Sequence, residues 1–377
     1  MEGEPIRGSE PPERAGRERR RRVLILSASM GNGHDGVAAE LAARLTAENA
    51  DAEIIDVLHL FPLRLGSALR RGYRWMILRA PWLYEVIYQV FFVGKRSGGT
   101  SPLTALAAPR LRRLVAAGSP DEIVSTFHLA AQITGRLRER GRLRCPSTVL
   151  VTDFAVHHLW LHSGNDRCLS PNGDVVGEIA VRTRRSALRC APVVRPEFTR
   201  TPAGRSGMDS GGRFVLVSGG AWGVGDIVAT ARALVGSGRY TPLVLCGNNA
   251  RLRRRLESDG LGRALGWRDD VPELMADAYA LVDNGSGVTC WEAFSAGLPV
   301  VIHRPIPGHG VASARAMAEA SVVSHTGTAS GLLDALDLLE DEAARRRRTD
   351  RAFALFSALP VQAGLISAPG RSRHGSG

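Results

Sequence analysis

The chain has 377 residues, a formal net charge of +12, 44% hydrophobic and only 6% aromatic residues. That length accommodates two medium domains with real cores, and the positive balance favours acidic partners: anionic lipid, nucleic acid or phosphorylated substrates. Five widely spaced cysteines (Cys145, Cys168, Cys190, Cys246 and Cys290) without a C-x-x-C pair argue against a disulfide framework or zinc site and for a reducing, cytosolic setting.

Residues 1–21 are rich in Pro, Gly, Glu and Arg, and read as a disordered basic tail with no apolar leader segment. "VLIL" then reads as a buried strand, "GVAAELAARLTAE" as a helix and "AEIIDV" (52–57) as a second buried strand. Strand–loop–helix–strand is the pattern of a parallel α/β sheet. Residues 61–96 break this rhythm by mixing Trp75, Trp82, Tyr84, Phe91 and Phe92 with Arg70, Arg71, Arg74 and Arg79, a composition suited to a membrane interface. No apolar run reaches the roughly 18 residues that span a bilayer. Order returns with strands at 121–126 and 147–154 around a helix, and continues to "CAPVVRPEF". The Gly/Ser/Pro-rich stretch 199–213 reads as a linker between a first domain, 22–198, and a second, 214–345. The second domain repeats the alternation from "FVLVSGG" to "SVVSH", and residues 346–377 read as a helix running into a disordered tail. No short repeat supports a solenoid, and no recognised motif supports nucleic-acid binding.

Three glycine-rich loops carry the chemistry. In "SASMGNGHDG", Gly31, Gly33 and Gly36 spell G-x-G-x-x-G, and Asp56 follows Gly36 by twenty residues, as a dinucleotide site would ask. The long "SASM" lead and the imidazole of His34 point elsewhere. A histidine at a helix start is disfavoured as a cation, stays neutral and can accept a proton; the plainer reading is a capping or exposed histidine. In the second half, Gly219, Gly220 and Gly223 follow one strand, and Asn284-Gly285-Ser286-Gly287 follows another. The latter opens a helix with Thr289 in its first turn and Glu292 one turn further. Backbone N–H groups at such turns approach phosphates closely, and a carboxylate at Glu292 suits two ribose hydroxyls.

These motifs, with "TDFAVHHLW" (Asp153, His157, Trp160), "VRPEF", "CGNN", "VPELMADA", "GSGVTCWEAFSAGLPVV" and "RPIPG" in order, resemble the monogalactosyldiacylglycerol synthase and processive diacylglycerol glucosyltransferase family over roughly residues 22–330. The resemblance implies a GT-B fold, two Rossmann-like α/β domains facing each other across a cleft. It implies an inverting transfer of a hexose from a UDP-sugar to a hydroxyl of a diacylglycerol-like lipid, without metal or other cofactor, at the cytoplasmic face of an anionic membrane. Alternatives are a polyprenyl-linked or secondary-metabolite acceptor, or nucleotide-sugar binding without turnover.

On the same basis His34 or Asp153 is the catalytic base, and Gly31, Gly33, His157 and Trp160 line the acceptor site. The donor contacts Gly219, Gly220, Gly223, Asn248, Trp267 (uracil), Ser286, Gly287, Thr289, Glu292 (ribose), Pro307, Gly308 and His309. Two departures stand out. His309, Gly310, Val311, Ala312 and Ser313 replace the family's Gln, acids and Asn, and Asn284-Gly285 replaces a Lys-Pro.

Overall fold

In the computed structural model, which describes residues 19–90, 102–200, 213–285 and 287–367, the charged tail gives way to strand β1 (Arg22–Ser27). Strands β2 (Asp51–Asp56), β3 (Glu122–Ser125), β4 (Ser147–Leu150), β5 (Arg167–Ser170) and β6 (Ser186–Arg189) join it in a sheet of order β2-β1-β3-β4-β5-β6. A second six-stranded sheet contains β7 (Phe214–Ser218), β8 (Thr241–Leu245), β9 (Arg263–Leu265), β10 (Ala280–Asp283), β11 (Val300–His303) and β12 (Val323–Thr326), in the order β12-β11-β10-β7-β8-β9. Every strand pair is parallel. The fold is therefore α/β with two Rossmann-like sheets.

Helices cover both faces of such sheets, so central strands read as unbroken apolar runs. β3, β4, β7, β10 and β11 are buried throughout. β2 is a correction: expected to be buried, it forms a sheet edge and leaves Ile54 43% exposed. β6 gives no strong apolar signal and is also an edge.

Strand order reverses beside β1 in the first sheet and beside β7 in the second. At these switch points the loops leaving adjacent strands diverge and open a crevice at the carboxyl ends, where open α/β sheets bind ligands. Both glycine-rich loops start there, after β1 and β7, and a third follows β10.

The aromatic segment splits into two helices, Leu65–Arg79 and Pro81–Tyr88. Trp75 and Trp82 are 58% and 68% exposed, but Tyr84, expected among the membrane-facing residues, is buried with Tyr88. It packs with Tyr73 and Ile77 against Trp222, Val224 and Ile306 of the second half. Phe91 and Phe92 lie outside the described residues, as do residues 201–212 of the expected linker and the ends 1–18 and 368–377. Among the described residues no helix is long and apolar enough to cross a membrane.

The segment expected as a terminal helix and tail also needs correction. The helix Glu342–Phe353 packs on the second half, where Arg345 donates to the Tyr279 carbonyl at 2.6 Å. The chain then returns to the first half. Ala191 N donates to the Leu359 carbonyl at 2.8 Å, and Val361 and Leu365 enter the core beside Ile25, Leu41 and Leu169. Buried Glu122 receives Ser367 N at 2.8 Å and Ser367 Oγ at 2.7 Å. A buried carboxylate is tolerated only with such partners.

Candidate active site

The helix Asn32–Ala47 begins at Gly31, whose φ of +116° no L side chain adopts without strain. Among the described residues no side chain caps this helix, and none caps the helix Val288–Ser295, which begins at Gly287 in the second half. Their first turns meet across the cleft: a Cβ on Gly33 would lie 3.1 Å from Val288 Cγ2. Uncapped N–H groups and the positive ends of both helices therefore converge on one place.

His34 stands in the first turn of the Asn32–Ala47 helix. Its Nδ1 lies 3.1 Å from the Thr126 carbonyl oxygen and 3.0 Å from Thr152 Oγ1, at the ends of β3 and β4. A carbonyl can only accept, so the hydrogen-bond network assigns the ring proton to Nδ1 and leaves Nε2 as the acceptor. Burial, the largest influence, holds the imidazole below its ordinary pKa against the opposing pull of Asp153. A neutral ring with Nε2 unprotonated is the form a base requires.

Asp153 follows β4 and is held by Trp160, whose Nε1 donates to Oδ2 at 2.8 Å. Trp160 itself is 1% exposed. It was expected to line the acceptor site; as a core residue it can reach an acceptor only through Asp153. His157 Nε2 is 3.7 Å from Asp153 Oδ2, and burial, with His128, His309 and His158 nearby, keeps that imidazole neutral. The contact is therefore dipolar rather than an ion pair. His128 adds a further imidazole to this group, its ring 5.2 Å from that of His157: burial, then His34 and His309, push its pKa down to about 3. Among the described residues no three His, Cys, Asp or Glu side chains converge as a metal site would require.

The turn after β7 is tightly wound. Val224 N donates to Gly219 O at 2.9 Å and Gly223 N to Gly220 O at 3.1 Å. Gly219 has no room for a Cβ, which would sit 2.6 Å from Val224 O, and Gly223 none, with Cys246 O at 2.8 Å. Gly220, at φ +66°, is open. Gly223, expected at the phosphate, thus has its N–H committed and is a glycine for packing.

Asn248 is exposed, and its backbone N donates to Ala221 O at 2.9 Å, which ties the loop after β8 to the same turn. Trp267 is 50% exposed at the rim. Asn284, the departure from Lys-Pro, is buried and donates Nδ2 to Val224 O at 2.7 Å, so it braces the turn. Ser286 lies outside the described residues; Gly287 and Thr289 flank the uncapped helix start. Glu292 has Arg195 Nη2 at 4.0 Å. Burial outweighs that cation and raises its carboxyl pKa to about 7. Pro307, Gly308 and His309 form the loop before the helix His309–Glu319.

Sequence reasoning missed Thr126, Thr152, His128 and Arg195. Thr126 and Thr152 follow the carboxyl ends of β3 and β4, and His128 opens the helix after β3, positions that could have flagged them.

Two facing sheets, each opening at its switch point onto a shared cleft, define a GT-B protein. The glycotransferase of kitacinnamycin has a TM-score of 0.58 at 14% identity, covering 90% of this chain and 95% of that one. MurG of Acinetobacter baumannii has 0.55 at 13%, covering 90% and 96%. The sequence profile of the Monogalactosyldiacylglycerol (MGDG) synthase family matches residues 34–185. A Processive diacylglycerol beta-glucosyltransferase of Bacillus pumilus (strain SAFR-032) is 25% identical over 308 residues, 76% of this chain and 78% of that protein. The chloroplastic Monogalactosyldiacylglycerol synthase of Spinacia oleracea is 29% identical over 344 residues, 81% of this chain but 62% of that protein. Over most of its length the chain is thus similar to monogalactosyldiacylglycerol synthases and processive diacylglycerol glucosyltransferases.

Proposed function

We propose that this protein transfers a hexose from a UDP-sugar to a hydroxyl of a diacylglycerol-like lipid, with inversion at the anomeric carbon. The observation that carries the reading is the commitment of His34 Nδ1 to the Thr126 carbonyl, which turns an unprotonated Nε2 into the base at the junction of two uncapped helix starts.

The acceptor oxygen attacks the anomeric carbon from the face opposite the diphosphate. Its proton passes to His34 Nε2, and Asp153 stabilises the imidazolium that forms. The carbon–oxygen bond to UDP breaks as the new one forms. Charge gathering on the leaving diphosphate meets the backbone N–H groups at Gly287–Thr289, already aimed before reaction, while the open Gly220 lets the phosphates approach the turn after β7. Ser286 shares this loop. Glu292 accepts from the ribose hydroxyls, Trp267 stacks on uracil at the rim with Asn248 nearby, and Pro307, Gly308 and His309 meet the sugar. Gly31, Gly33 and His157 shape the acceptor side. No cofactor is invoked; the donor is a substrate.

The lipid acceptor calls for a bilayer surface. Trp75 and Trp82, exposed beside Arg70, Arg71 and Arg79, supply rings for the interface and cations for anionic headgroups. The protein then works as a peripheral enzyme on the inner face of the cell membrane. The test offers UDP-glucose, UDP-galactose and UDP-N-acetylglucosamine with anionic vesicles that contain diacylglycerol. Formation of glycolipid with stoichiometric UDP release is expected. Tight binding without release, or transfer only to a soluble acceptor, overturns the reading.

A further inference from the structure

Helix Pro81–Tyr88 belongs to the first half by sequence, yet three contacts tie it to the loop 306–309 of the second. Tyr84 Oη lies 2.8 Å from His309 Nδ1. Gly308 N donates to Glu85 Oε2 at 2.6 Å, which sets a carboxylate at the start of the helix His309–Glu319, where the macrodipole favours it. Gly308, at φ +76°, abuts both tyrosine rings: a Cβ there would sit 2.8 Å from Tyr88 Cγ and 2.9 Å from Tyr84 Cε1. A fourth contact lies further along, where Ala155 N donates to Ser313 Oγ at 3.3 Å. The stretch 309–313, which departs from the family pattern, thus itself touches the opposite domain through His309 and Ser313.

We infer that Tyr84 and Glu85 form a cross-cleft latch on the sugar loop, with Tyr84 as the positioning residue that fixes the His309 ring for recognition of the transferred hexose. Whichever partner donates, the bond occupies Nδ1 and leaves Nε2 as the ring atom able to meet a sugar hydroxyl. The Tyr84 phenol keeps its proton because burial raises its pKa, so the bond persists across the working pH range. The Tyr84 hydroxyl acts on the hexose and leaves the nucleotide alone, since the ring, not the hydroxyl, packs against Trp222 and Val224 of the turn after β7. Recognition of the sugar therefore requires a residue from the domain that binds the acceptor.

This inference rests on the UDP-hexose reading above, and binding measurements separate the two. Titrations use UDP, UDP-glucose and UDP-galactose with the full chain. Tyr84→Phe keeps the ring in its packing and removes only the hydroxyl. It is expected to leave UDP affinity within twofold and to weaken the better UDP-hexose about five- to tenfold, the worth of one hydrogen bond. In a His309→Ala background the same change should have no further effect, because the bond is already gone. In turnover with diacylglycerol vesicles, donor KM rises while acceptor KM holds. Glu85→Ala should act in the same direction. An unchanged ratio of UDP-hexose to UDP affinity in Tyr84→Phe, or additive losses in the double variant, overturns the latch. A wild-type protein that binds neither UDP nor either UDP-hexose overturns the functional reading itself.

Discussion

The loops after β1 and β7 share a glycine-rich sequence, a sheet position and a cleft, but their glycines answer to different forces. After β1 the glycines make space. Gly31 and Gly36 would meet nothing with an added Cβ, and Gly33 lets one helix start approach the other. After β7 the glycines are consumed by the protein itself. Gly219, Gly223 and Gly225 have backbone or Asn284 atoms where a Cβ would stand, and three of the turn's N–H groups, those of Gly220, Gly223 and Val224, are already bonded. Glycine count alone therefore says little about ligand binding; what matters is whether the space opened faces a ligand or the protein's own backbone.

The largest break in this comparison comes from the residue that only the first loop carries. His34→Ala should lower transfer by at least about a hundredfold, the usual worth of a positioned base, and leave UDP affinity intact in titration. If transfer persists, Asp153 takes over as the base. A glycine change in the second loop should act on the fold instead. Gly225→Ala forces a Cβ to 1.9 Å from Asn284 Nδ2 at φ +90°, and should cost about 3 kcal/mol from strain and overpacking, visible in denaturant unfolding.

A pH series sharpens the contrast further. Glu292, with a carboxyl pKa raised by burial to about 7 from 4.5, must ionise to serve the proposed ribose contact. Donor affinity should therefore climb through pH 7 and level about one unit above it, and Glu292→Gln should flatten the curve in titrations. Between pH 4.5 and pH 7 the folded protein holds a proton on Glu292 that the unfolded chain releases, so this group costs stability as pH rises. The histidines act oppositely. His34, His128, His157 and His309 are all depressed below 6.5 by burial. Below 6.5 the unfolded chain takes up protons that the folded chain refuses, so stability is lost as pH falls. With four histidines against one carboxyl, Tm should drop between pH 7 and pH 5. The smallest effect is Gly36→Ala, a helical position with open space, which should gain at most about 1 kcal/mol through helix propensity.

Much of the architecture was legible because central parallel strands are written as uninterrupted apolar runs, as in "VLIL" and "FVLV". β2 misled: an apolar pair at Ile54-Ile55 resembles a core strand, and whether a strand lies at an edge depends on neighbours that sequence does not name. His34 was legible from its place after a strand and at a helix start, but its tautomer was not, since Thr126 stands 92 residues away. Trp160 was visible as a motif residue, yet only packing reveals that its indole serves the carboxylate of Asp153. The division of the aromatic segment was hidden for the same reason. Tyr84 and Trp82 carry similar composition signals, and their helical phase against a second domain decides which ring is buried. The pair Tyr84–His309, separated by 225 residues, left no local trace.

The return of the chain end to the first half has a mechanical meaning. Because residues 359–367 are seated in the first core and Glu122 grips Ser367, two covalent connections join the halves, one after residue 198 and one between Phe353 and Leu359. A single tether would let two bodies swivel and slide in many directions. Two separated tethers leave one easy rotation, about the line through both, like a door on two pins. Opening then swings the β7 and β10 loops away from His34 along one arc, and closing brings them back to the same register. On the mechanism proposed above, residues 359–367 thereby limit the error with which His34 and the donor meet.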